Sequence, residues 1–404
     1  MKLFRRFIVA LACLNFIASL PAAPVSAGTG LDAARLAEIP RRMKAFVADG
    51  TISGSVTLVA RHGQVASLEA AGFTDLTARK PMQTDNLFWI ASMTKPITAV
   101  AVLQLQDEGK LNIEDPVEKY LPEFKGQWLV QDKGNDKLTL IRPARPITLR
   151  DLLTHTSGLG DVASPRPDAT LAELVMAYSQ QPLRFPPGSK WEYCNSGINT
   201  LGRVVEVVSG FKFEEFLQNR IFYPLDLKDT TFWPTPRQAK RVAKSYKPAK
   251  NGGLEEADNY FIKGGLSDRK RTPYPAGGLF STARDVAHFY QMTLNGGRFE
   301  GRKVISPESL ALMTRTQTDE IKTGFTEGMS WGLGFQVVKE PQGVTAMLSP
   351  GTFGHGGAYA TQSWADPKRD LILVLMIQRA GFPNGDNSPV RRAFQEAAVA
   401  ALTE

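Results

Sequence analysis

The spacing of apolar residues changes along the chain and predicts different elements in different stretches. Between residues 31 and 47, apolar positions recur at helical intervals, which predicts a helix with a kink at Pro40. The patterns of residues 55–60 and 65–71 predict two strands joined by a tight turn, a β-hairpin. Residues 94–106 have the pattern of a strongly amphipathic helix. The first part of the chain therefore mixes helices and strands.

The middle and the end of the chain differ in character. Residues 112–274 show mostly short helical patterns interrupted by Pro and Gly, and strands return before a closing helix. Sheet-forming segments at both ends of a helical middle predict an α/β protein of the α+β type. We expect one lobe built from residues 28–111 and 275–404, and an inserted, mostly helical lobe of residues 112–274. The later predicted elements are the helices 149–154, 171–179, 195–209 and 213–221, the strands 331–338, 361–365 and 371–377, and the helix 389–402.

The first 27 residues have the composition of a secretory signal peptide, with three basic residues before a short apolar run. We expect cleavage after Ala27 and a periplasmic or secreted protein without stable membrane insertion. An uncleaved anchor and a lipoprotein acylated at Cys13 are the alternatives. The apolar run is short for an anchor, and Ala10 fits a lipoprotein signal poorly. Cleavage would lower the net charge from +8 to +5 and leave Cys194 as the single cysteine.

Composition narrows the class of protein. The chain has 404 residues, 43% apolar and 22% charged, which is globular and long enough for two lobes. Its two cysteines exclude a disulfide scaffold and a four-cysteine zinc site, and its four histidines leave little room for a multi-histidine metal centre. The basic stretch of residues 237–250 favours a solvated helix face, so we expect no nucleic-acid partner. The sequence does not report the oligomeric state.

The segment Ser92-Met93-Thr94-Lys95 lies where a predicted strand, residues 87–91, meets the amphipathic helix. Positions i and i+3 share a helix face, so the Lys95 amine can reach the Ser92 hydroxyl. A serine hydroxyl needs a neighbouring base to act as a nucleophile, and a buried lysine with a lowered pKa can serve. The pattern alone is weak, because Ser267-Asp268-Arg269-Lys270 also matches it in a polar loop.

Two further segments carry candidate chemistry. In Tyr193-Cys194-Asn195, a nearby amine can lower the pKa of the tyrosine, and Asn195 can position a carbonyl or the lysine. If the segment is extended, both side chains point to one side. In Phe353-Gly354-His355-Gly356-Gly357-Ala358, glycines permit close approach of a substrate backbone, and a strand-edge N–H can complete an oxyanion hole. Each segment taken alone is better explained as an ordinary turn.

A rival nucleophile is Ser330, because Gly328-Met329-Ser330-Trp331-Gly332 matches the nucleophile elbow of α/β-hydrolases. That elbow needs a helix after the serine, whereas the residues that follow here predict a strand. We therefore expect Ser330 not to be the nucleophile. His155 and Cys194 receive structural interpretations, as a hydrogen-bonding histidine at a helix end and as a small buried spacer.

Together, and in this order, Ser92-x-x-Lys95, Tyr193-x-Asn195 and His355-Gly356-Gly357 resemble the motifs of the serine β-lactamase/penicillin-binding superfamily. The resemblance is to the branch of class C β-lactamases, D,D-peptidases and family VIII esterases, and residues 151–159 and 277–285 support it. It spans roughly residues 35 to 400. It implies the β-lactamase/D,D-peptidase-like fold, an antiparallel sheet flanked by helices plus the inserted helical lobe, with the active site in the cleft between lobes.

The resemblance also implies a mechanism. The serine attacks a carbonyl and becomes acylated, the lysine and the tyrosine shuttle the proton, and water hydrolyses the acyl-enzyme. No metal and no organic cofactor is implied, and the partner is a small-molecule ester or amide substrate. The implied site residues are Ser92, Lys95 and Tyr193 as catalytic groups, Asn195, His355, Gly356 and Gly357 as substrate-positioning groups, and the backbone N–H groups of Ser92 and Ala358 as the oxyanion hole.

One departure from the resemblance affects the expected substrate. Many β-lactamases have Lys-Thr-Gly at the third motif, whereas this chain has His355, which is mostly neutral near pH 7. Weaker carboxylate recognition favours uncharged esters or amides, unless Arg150, Arg284 or another cation substitutes. We predict an exported serine hydrolase, a carboxylesterase on small esters. A class C-like β-lactamase or D,D-peptidase is the alternative; an acyltransferase or a non-catalytic penicillin-binding or sensor protein is less favoured.

Overall fold

The computed structural model describes residues 28–134, 137–164, 166–250, 252–259, 262 and 264–403. The predicted signal peptide, residues 1–27, lies outside this part. None of the helices within these ranges is long and apolar enough to cross a membrane. The α-helices of the described chain are α1 (Ala33–Leu36), α2 (Glu38–Ala48), α3 (Thr94–Asp107), α4 (Leu149–Leu153), α5 (Leu171–Ser179), α6 (Asn195–Ser209), α7 (Phe213–Leu217), α8 (Pro236–Ala239), α9 (Ala283–Leu294), α10 (Pro307–Thr314) and α11 (Pro389–Ala400).

The strands concentrate near the two ends of the chain. They are β1 (Gly54–Arg61), β2 (Gln64–Asp75), β3 (Lys80–Pro81), β4 (Phe88–Trp89), β5 (Leu129–Lys133), β6 (Leu138–Ile141), β7 (Tyr246–Pro248), β8 (Leu254–Glu256), β9 (Phe280–Ser281), β10 (Arg298–Phe299), β11 (Arg302–Lys303), β12 (Met329–Trp331), β13 (Gln336–Val338), β14 (Phe353–Gly356), β15 (Gln362–Asp366) and β16 (Leu371–Met376).

One large sheet joins both ends of the chain, in the order β12-β13-β14-β15-β16-β1-β2-β3, and its neighbouring strands are antiparallel. Helices α2 and α11 pack on one face and α9 on the other. The sheet is therefore buried on both faces. In β1, Val56, Leu58 and Ala60 face one hydrophobic cluster, whereas Val59 belongs to the second. The predicted antiparallel sheet flanked by helices is confirmed.

The β1–β2 hairpin closes at the predicted turn. Arg61 pairs with Gln64, which leaves His62 and Gly63 as a two-residue loop with φ angles of 54° and 74°. Positive φ at both central residues matches the twist of paired strands, and glycine adopts it at no steric cost. This turn fixes the register of the β1–β2 hairpin, and the short strand β3 pairs with β2 at the edge of the sheet.

Helix α3 forms where predicted, but it is not amphipathic. All its residues from Thr94 to Leu105 are buried. The helix packs against α6 and α7 on one side and α10 on another, so no face is left for solvent. The polar residues at its start are therefore inside the protein, and this determines the chemistry of the site described below.

Three other predicted elements differ in detail. The helix predicted over residues 31–47 is broken at Ala37 instead of kinked at Pro40, which lies in the first turn of α2 where proline is tolerated. The helix predicted over 213–221 ends as α7 and continues as a π-helical turn, Gln218–Phe222. The strand predicted over 331–338 is two strands, β12 and β13, because Gly334 turns the chain with a φ of 78°.

The segment between the sheet-forming ends is not purely helical. Residues 112–274 contain α4 to α8 and also two small hairpins, β5–β6 and β7–β8. One hydrophobic cluster includes Leu58 of the sheet together with Leu152 and Phe216 of this segment. The core is therefore continuous across the segments. The lobe boundaries near residues 112 and 274 stay a prediction.

The complete burial of α3 predicts a large cost for truncating its apolar side chains. Leu103 is 0% exposed, so Leu103→Ala should lower the free energy of unfolding by about 2–5 kcal/mol in urea denaturation. Leu138 on β6 is 51% exposed, so Leu138→Ala should change it by less than about 0.5 kcal/mol. Equal losses for the two variants would contradict this packing.

Candidate active site

Ser92 lies in a tight turn between β4 and α3. A short 3₁₀ helix, Ala91–Met93, joins the two elements, and Ala91 has a φ of 46°. A residue with a Cβ is strained in this left-handed region, and such strain is concentrated at functional sites. The turn leaves Ser92 partly exposed at a cavity, while the residues that follow it are buried.

Lys95 is fully buried, and its amine has three hydrogen-bond partners from separate parts of the chain. The Nζ atom lies 3.0 Å from Ser92 Oγ, 2.8 Å from Asn195 Oδ1 and 2.7 Å from the carbonyl oxygen of Ala276. Asn195 is the first residue of α6. The structure thus brings Ser92 and Lys95 together with Asn195 and Ala276, which lie 100 and 181 positions after Lys95.

The partners determine where the lone pair of a neutral amine points. The Ala276 carbonyl can only accept, and Asn195 presents its oxygen because its Nδ2 donates to Asp161 Oδ2 at 2.8 Å. A neutral amine has two N–H groups and one lone pair. Since two acceptors take both N–H groups, the lone pair is left for the Ser92 hydroxyl. This is the arrangement of a general base beside a nucleophile.

Asp161 is a site residue that sequence reasoning missed. Its carboxylate accepts from the backbone N–H of Ser196 at 2.9 Å and from the Asn195 side chain, so it fixes both the start of α6 and the orientation of the amide. Negative charge at a helix N-terminus is favourable. The only signal in the sequence is its position, two residues after the supporting segment of residues 151–159.

Burial has opposite consequences for the two titratable partners of Ser92. It lowers the pKa of Lys95 to about 7, against the opposing negative charge of Asp161. It raises the pKa of Tyr193 well above its ordinary value, although a hydrogen bond with Ser92 acts the other way. The expectation of a lowered tyrosine pKa is therefore wrong, because desolvation of the phenolate dominates. Near pH 7 the amine can be neutral, and Tyr193 is a neutral phenol.

Aromatic rings enclose Tyr193 and the amine. Lys95 Nζ lies 4.7 Å from the centroid of the Tyr193 ring, and the rings of His155 and Phe325 lie 4.6 Å and 5.0 Å from it. Trp331 contacts the same cluster. These side chains exclude water from one side of the amine, which is the physical origin of its lowered pKa.

His355 lies in β14, buried behind this cluster, with its ring centroid 6.2 Å from that of Tyr193. Its Nδ1 lies 2.6 Å from the Gly356 carbonyl oxygen, an acceptor, so Nδ1 carries the proton of the neutral ring. Burial, aided by the nearby Lys95, lowers the pKa of His355 to about 3. The third motif therefore holds no cation at neutral pH.

The two glycines of the third motif allow the protein to pack closely against itself. A Cβ at Gly356 would overlap the Asp386 carboxylate, and one at Gly357 would overlap the Ile90 carbonyl and the Thr361 hydroxyl. Close packing of Gly357 on Ile90 brings the third motif beside the Ser92 turn. The expected approach of substrate to these glycines stays a prediction.

A cavity of about 410 Å³ opens at Ser92. Lys95, Tyr193, His355, Gly356 and Gly357 are not part of its lining. Within the described chain, no group of three or more His, Cys, Asp or Glu side chains lies close enough together to hold a metal ion. The lining includes Ser92, Asn195 and Ala358, the aromatic side chains of Trp89, Tyr178 and Tyr274, the carboxylate of Asp161 and the cations Arg166 and Arg271.

Ser92 and Ala358 therefore share one cavity. No described group accepts a hydrogen bond from the backbone N–H of either residue. Two unused N–H groups near a nucleophile are the donors that an oxyanion hole requires. Their role as an oxyanion hole stays a prediction.

Neither rival serine has a base beside it among the described residues. Ser267 donates to the Pro234 carbonyl at 2.6 Å, and Lys270 is exposed. Ser330 is buried in β12, where its hydroxyl contacts that of Thr316. A turn and β13 follow Ser330, so the helix that a nucleophile elbow needs is missing there.

His155 and Cys194 have the structural roles expected of them. His155 follows α4 with a φ of 59°, and its Nδ1 accepts from the Cys194 backbone N–H at 3.2 Å. Cys194 is the N-cap of α6, and burial raises the pKa of its thiol. A thiol with a raised pKa is a poor nucleophile.

Comparison with known proteins assigns the chain to a family. The family model described as Beta-lactamase matches residues 39–398. The chain belongs to the beta-lactamase family of serine hydrolases. Lovastatin esterase of Penicillium rubens is 34% identical over 382 residues, which cover 85% of this chain and 93% of that protein. Esterase EstB of Burkholderia gladioli is 29% identical, with 92% of this chain and 97% of the esterase covered.

A solved structure supports the same assignment. A penicillin-binding protein homolog from Caulobacter crescentus superposes with a TM-score of 0.74 and 25% identity, covering 93% of this chain and 99% of its own. The resemblance read from the three motifs is therefore confirmed at the level of the family, the fold and the class of enzyme, a serine hydrolase.

The hydrogen-bonded chain from Asp161 through Asn195 to Lys95 predicts a shift in the pH dependence of Ser92 reactivity. Labelling of the wild type by a neutral fluorophosphonate should fall about tenfold per pH unit below pH 7, because the amine becomes protonated. Asp161→Asn removes the negative charge that favours the ammonium form, so the midpoint should move to lower pH.

Asp168→Asn is the matched control. Asp168 pairs with the exposed Arg166 and does not contact Lys95 or Asn195, so its midpoint should equal that of the wild type. A midpoint that moves to higher pH in Asp161→Asn, or does not move, would contradict the electrostatic role of Asp161.

Proposed function

We propose that the protein is an exported serine carboxylesterase that hydrolyses small esters through an acyl-enzyme formed on Ser92. The observation that carries the proposal is the hydrogen bonding of Lys95, whose two acceptors leave the lone pair of the neutral amine for the Ser92 hydroxyl. A buried amine with a pKa of about 7 can take a proton at neutral pH. The pattern of residues 1–27 supports export.

Acylation begins when the Ser92 oxygen attacks the ester carbonyl. Its proton passes to Lys95, and the backbone N–H groups of Ser92 and Ala358 stabilise the oxyanion. As the tetrahedral intermediate collapses, the bond to the leaving oxygen breaks. Tyr193, hydrogen-bonded with Ser92 and neutral, gives its proton to that oxygen and regains one from Lys95. The alcohol leaves, and the acyl group remains on the serine.

Deacylation repeats these steps with water in place of the serine hydroxyl. Water enters from the cavity, loses its proton to the same relay and attacks the acyl carbonyl. Ser92 then leaves as the protonated hydroxyl. The relay returns to its starting state, so each turnover consumes one water and releases one acid and one alcohol.

Preference for esters over β-lactams rests on the third motif. His355 is neutral and is not part of the cavity lining, so it supplies no cation for the carboxylate of a β-lactam. Two relatives that span most of this chain are named as esterases, one of them for lovastatin. Both observations favour ester hydrolysis.

Removal of the nucleophile tests the proposal. Ser92→Ala should lower kcat for p-nitrophenyl butyrate by roughly 10⁴-fold or more and abolish the acyl adduct seen by mass spectrometry. Ser267→Ala and Ser330→Ala, which remove the serines of the two rival motifs, should keep activity within about threefold of the wild type. Retention of esterase activity in Ser92→Ala would overturn the assignment.

Turnover of two substrates on one preparation separates esterase from β-lactamase. The kcat/KM for p-nitrophenyl butyrate should exceed that for a chromogenic cephalosporin by at least about tenfold, since the third motif lacks a cation. The Ser92→Ala variant should be inactive on both. A cephalosporin preferred over the ester would show the family's lactamase chemistry instead.

A further inference from the structure

Two cationic side chains line the cavity within the described chain, and they differ in how their charge is balanced. Arg166 is half-exposed and pairs with Asp168 and Glu173, at 2.9 Å and 2.8 Å. Arg271 is 6% exposed, and among the described residues no carboxylate lies within 4 Å of its guanidinium. Arg271 is therefore a buried cation of the cavity wall that forms no ion pair with a described carboxylate, although the negative charge of Asp268 acts on it from a greater distance.

Neutral groups hold the Arg271 side chain in place. Its Nε donates to the Gly265 carbonyl at 3.1 Å, and its Nη2 donates to the carbonyls of Phe232 and Leu266, each at 2.8 Å. These hydrogen bonds hold the turn before Arg271 in place, so one role of the Arg271 side chain is structural. They engage Nε and Nη2, whereas no described group accepts from Nη1.

Burying a cation without an acidic partner is costly, because carbonyl dipoles only partly replace water. Burial accordingly lowers the pKa of Arg271 from its usual value, against the opposing negative charge of the exposed Asp268. An arginine whose fork is fixed by three carbonyls is pre-organised, so binding an anion costs it little side-chain entropy.

The two arginines that could substitute for the missing lysine of the third motif lie away from the cavity. Arg150 is engaged with Glu114 and Gln317, and Arg284 is exposed on α9. Neither lines the cavity. The cation that the third motif lacks is therefore present on a different wall, formed by the residues just before Thr272 and Tyr274.

We propose that Arg271 forms an anion subsite of the Ser92 cavity, so that the substrate is an ester bearing a carboxylate remote from the scissile carbonyl. The proposal rests on the proposed function, because it assigns a substrate class to the same nucleophile. It changes the expected substrate from an uncharged ester to an anionic one. The carboxylate of this substrate would bind Arg271 and not His355.

Matched ester pairs test the subsite in the wild type. In the first series the carboxylate is on the acyl part: mono-p-nitrophenyl adipate is compared with two neutral esters, p-nitrophenyl hexanoate and the corresponding adipamide ester. The acetyl and butyryl esters of 4-hydroxybenzoate are compared with those of phenol, which places it on the leaving part. In at least one series, kcat/KM should be about 10- to 100-fold higher for the anionic member, a magnitude typical of a charge-assisted hydrogen bond. No preference in either series overturns the proposal.

Variants then assign the preference to Arg271. Arg271→Gln should reduce the anionic-to-neutral ratio of kcat/KM by about 10-fold or more, mainly through KM, and Arg271→Lys should give an intermediate ratio. Arg284→Gln, which removes an exposed cation outside the cavity, should leave the wild-type ratio. A ratio unchanged in Arg271→Gln, with both members slowed equally, would mean that the side chain is only an anchor and would overturn the proposal.

The two proposals fail in different ways. If Ser92→Ala still hydrolyses all probes, the proposed function is wrong. If turnover depends on Ser92 but the wild type does not discriminate, only the anion subsite is wrong. Should Arg271→Gln not fold, the wild-type preference and the ratio for Arg271→Lys decide, because a lysine ratio equal to that of the wild type would contradict recognition by a guanidinium that three carbonyls hold in place.

Discussion

The burial of a single amine is the constraint on which the rest of this structure depends. Lys95 lies in a helix with no solvent-facing side, and its Nζ is satisfied by a hydroxyl, an amide oxygen and a main-chain carbonyl. Removing an ammonium from water is expensive, and the protein meets the cost by lowering the pKa until the neutral form is accessible. Because both acceptors are fixed, the neutral amine can only accept from Ser92.

The third motif, His355-Gly356-Gly357, contributes close packing. Many β-lactamases have a lysine in this motif, which contributes a positive charge instead. His355 is neutral behind the aromatic cluster, and Gly357 allows the strand edge to approach the Ile90 carbonyl. Two arginines line the cavity instead: Arg166, which is paired with carboxylates, and Arg271, which is held by three carbonyls. Under the two proposals, the chemistry takes place at Ser92, and an anionic group of the substrate is bound at Arg271 and not at the third motif.

Much of the fold was predictable because its elements are locally encoded. The β1–β2 hairpin follows from alternation and a turn that tolerates positive φ, and α6 follows from a long helical pattern. Errors arose where tertiary contacts act: α3 is buried on every side, and the strand predicted over residues 331–338 is divided by a glycine turn. Asp161 was missed because its only signal in the sequence is its position shortly after residues 151–159, and its role depends on where α6 begins.

The sequence by itself determined the family and the pairing of Ser92 with Lys95, since three ordered motifs and one helical turn are local properties of the chain. Only the tertiary structure decided the protonation states. Tyr193 and His355 carry ordinary pKa values as isolated side chains, and burial moves the first upward and the second downward. The tertiary structure likewise decided which arginines line the cavity. Desolvation and charge pairing depend on what surrounds a group in space, and that arrangement exists only once distant segments have packed together.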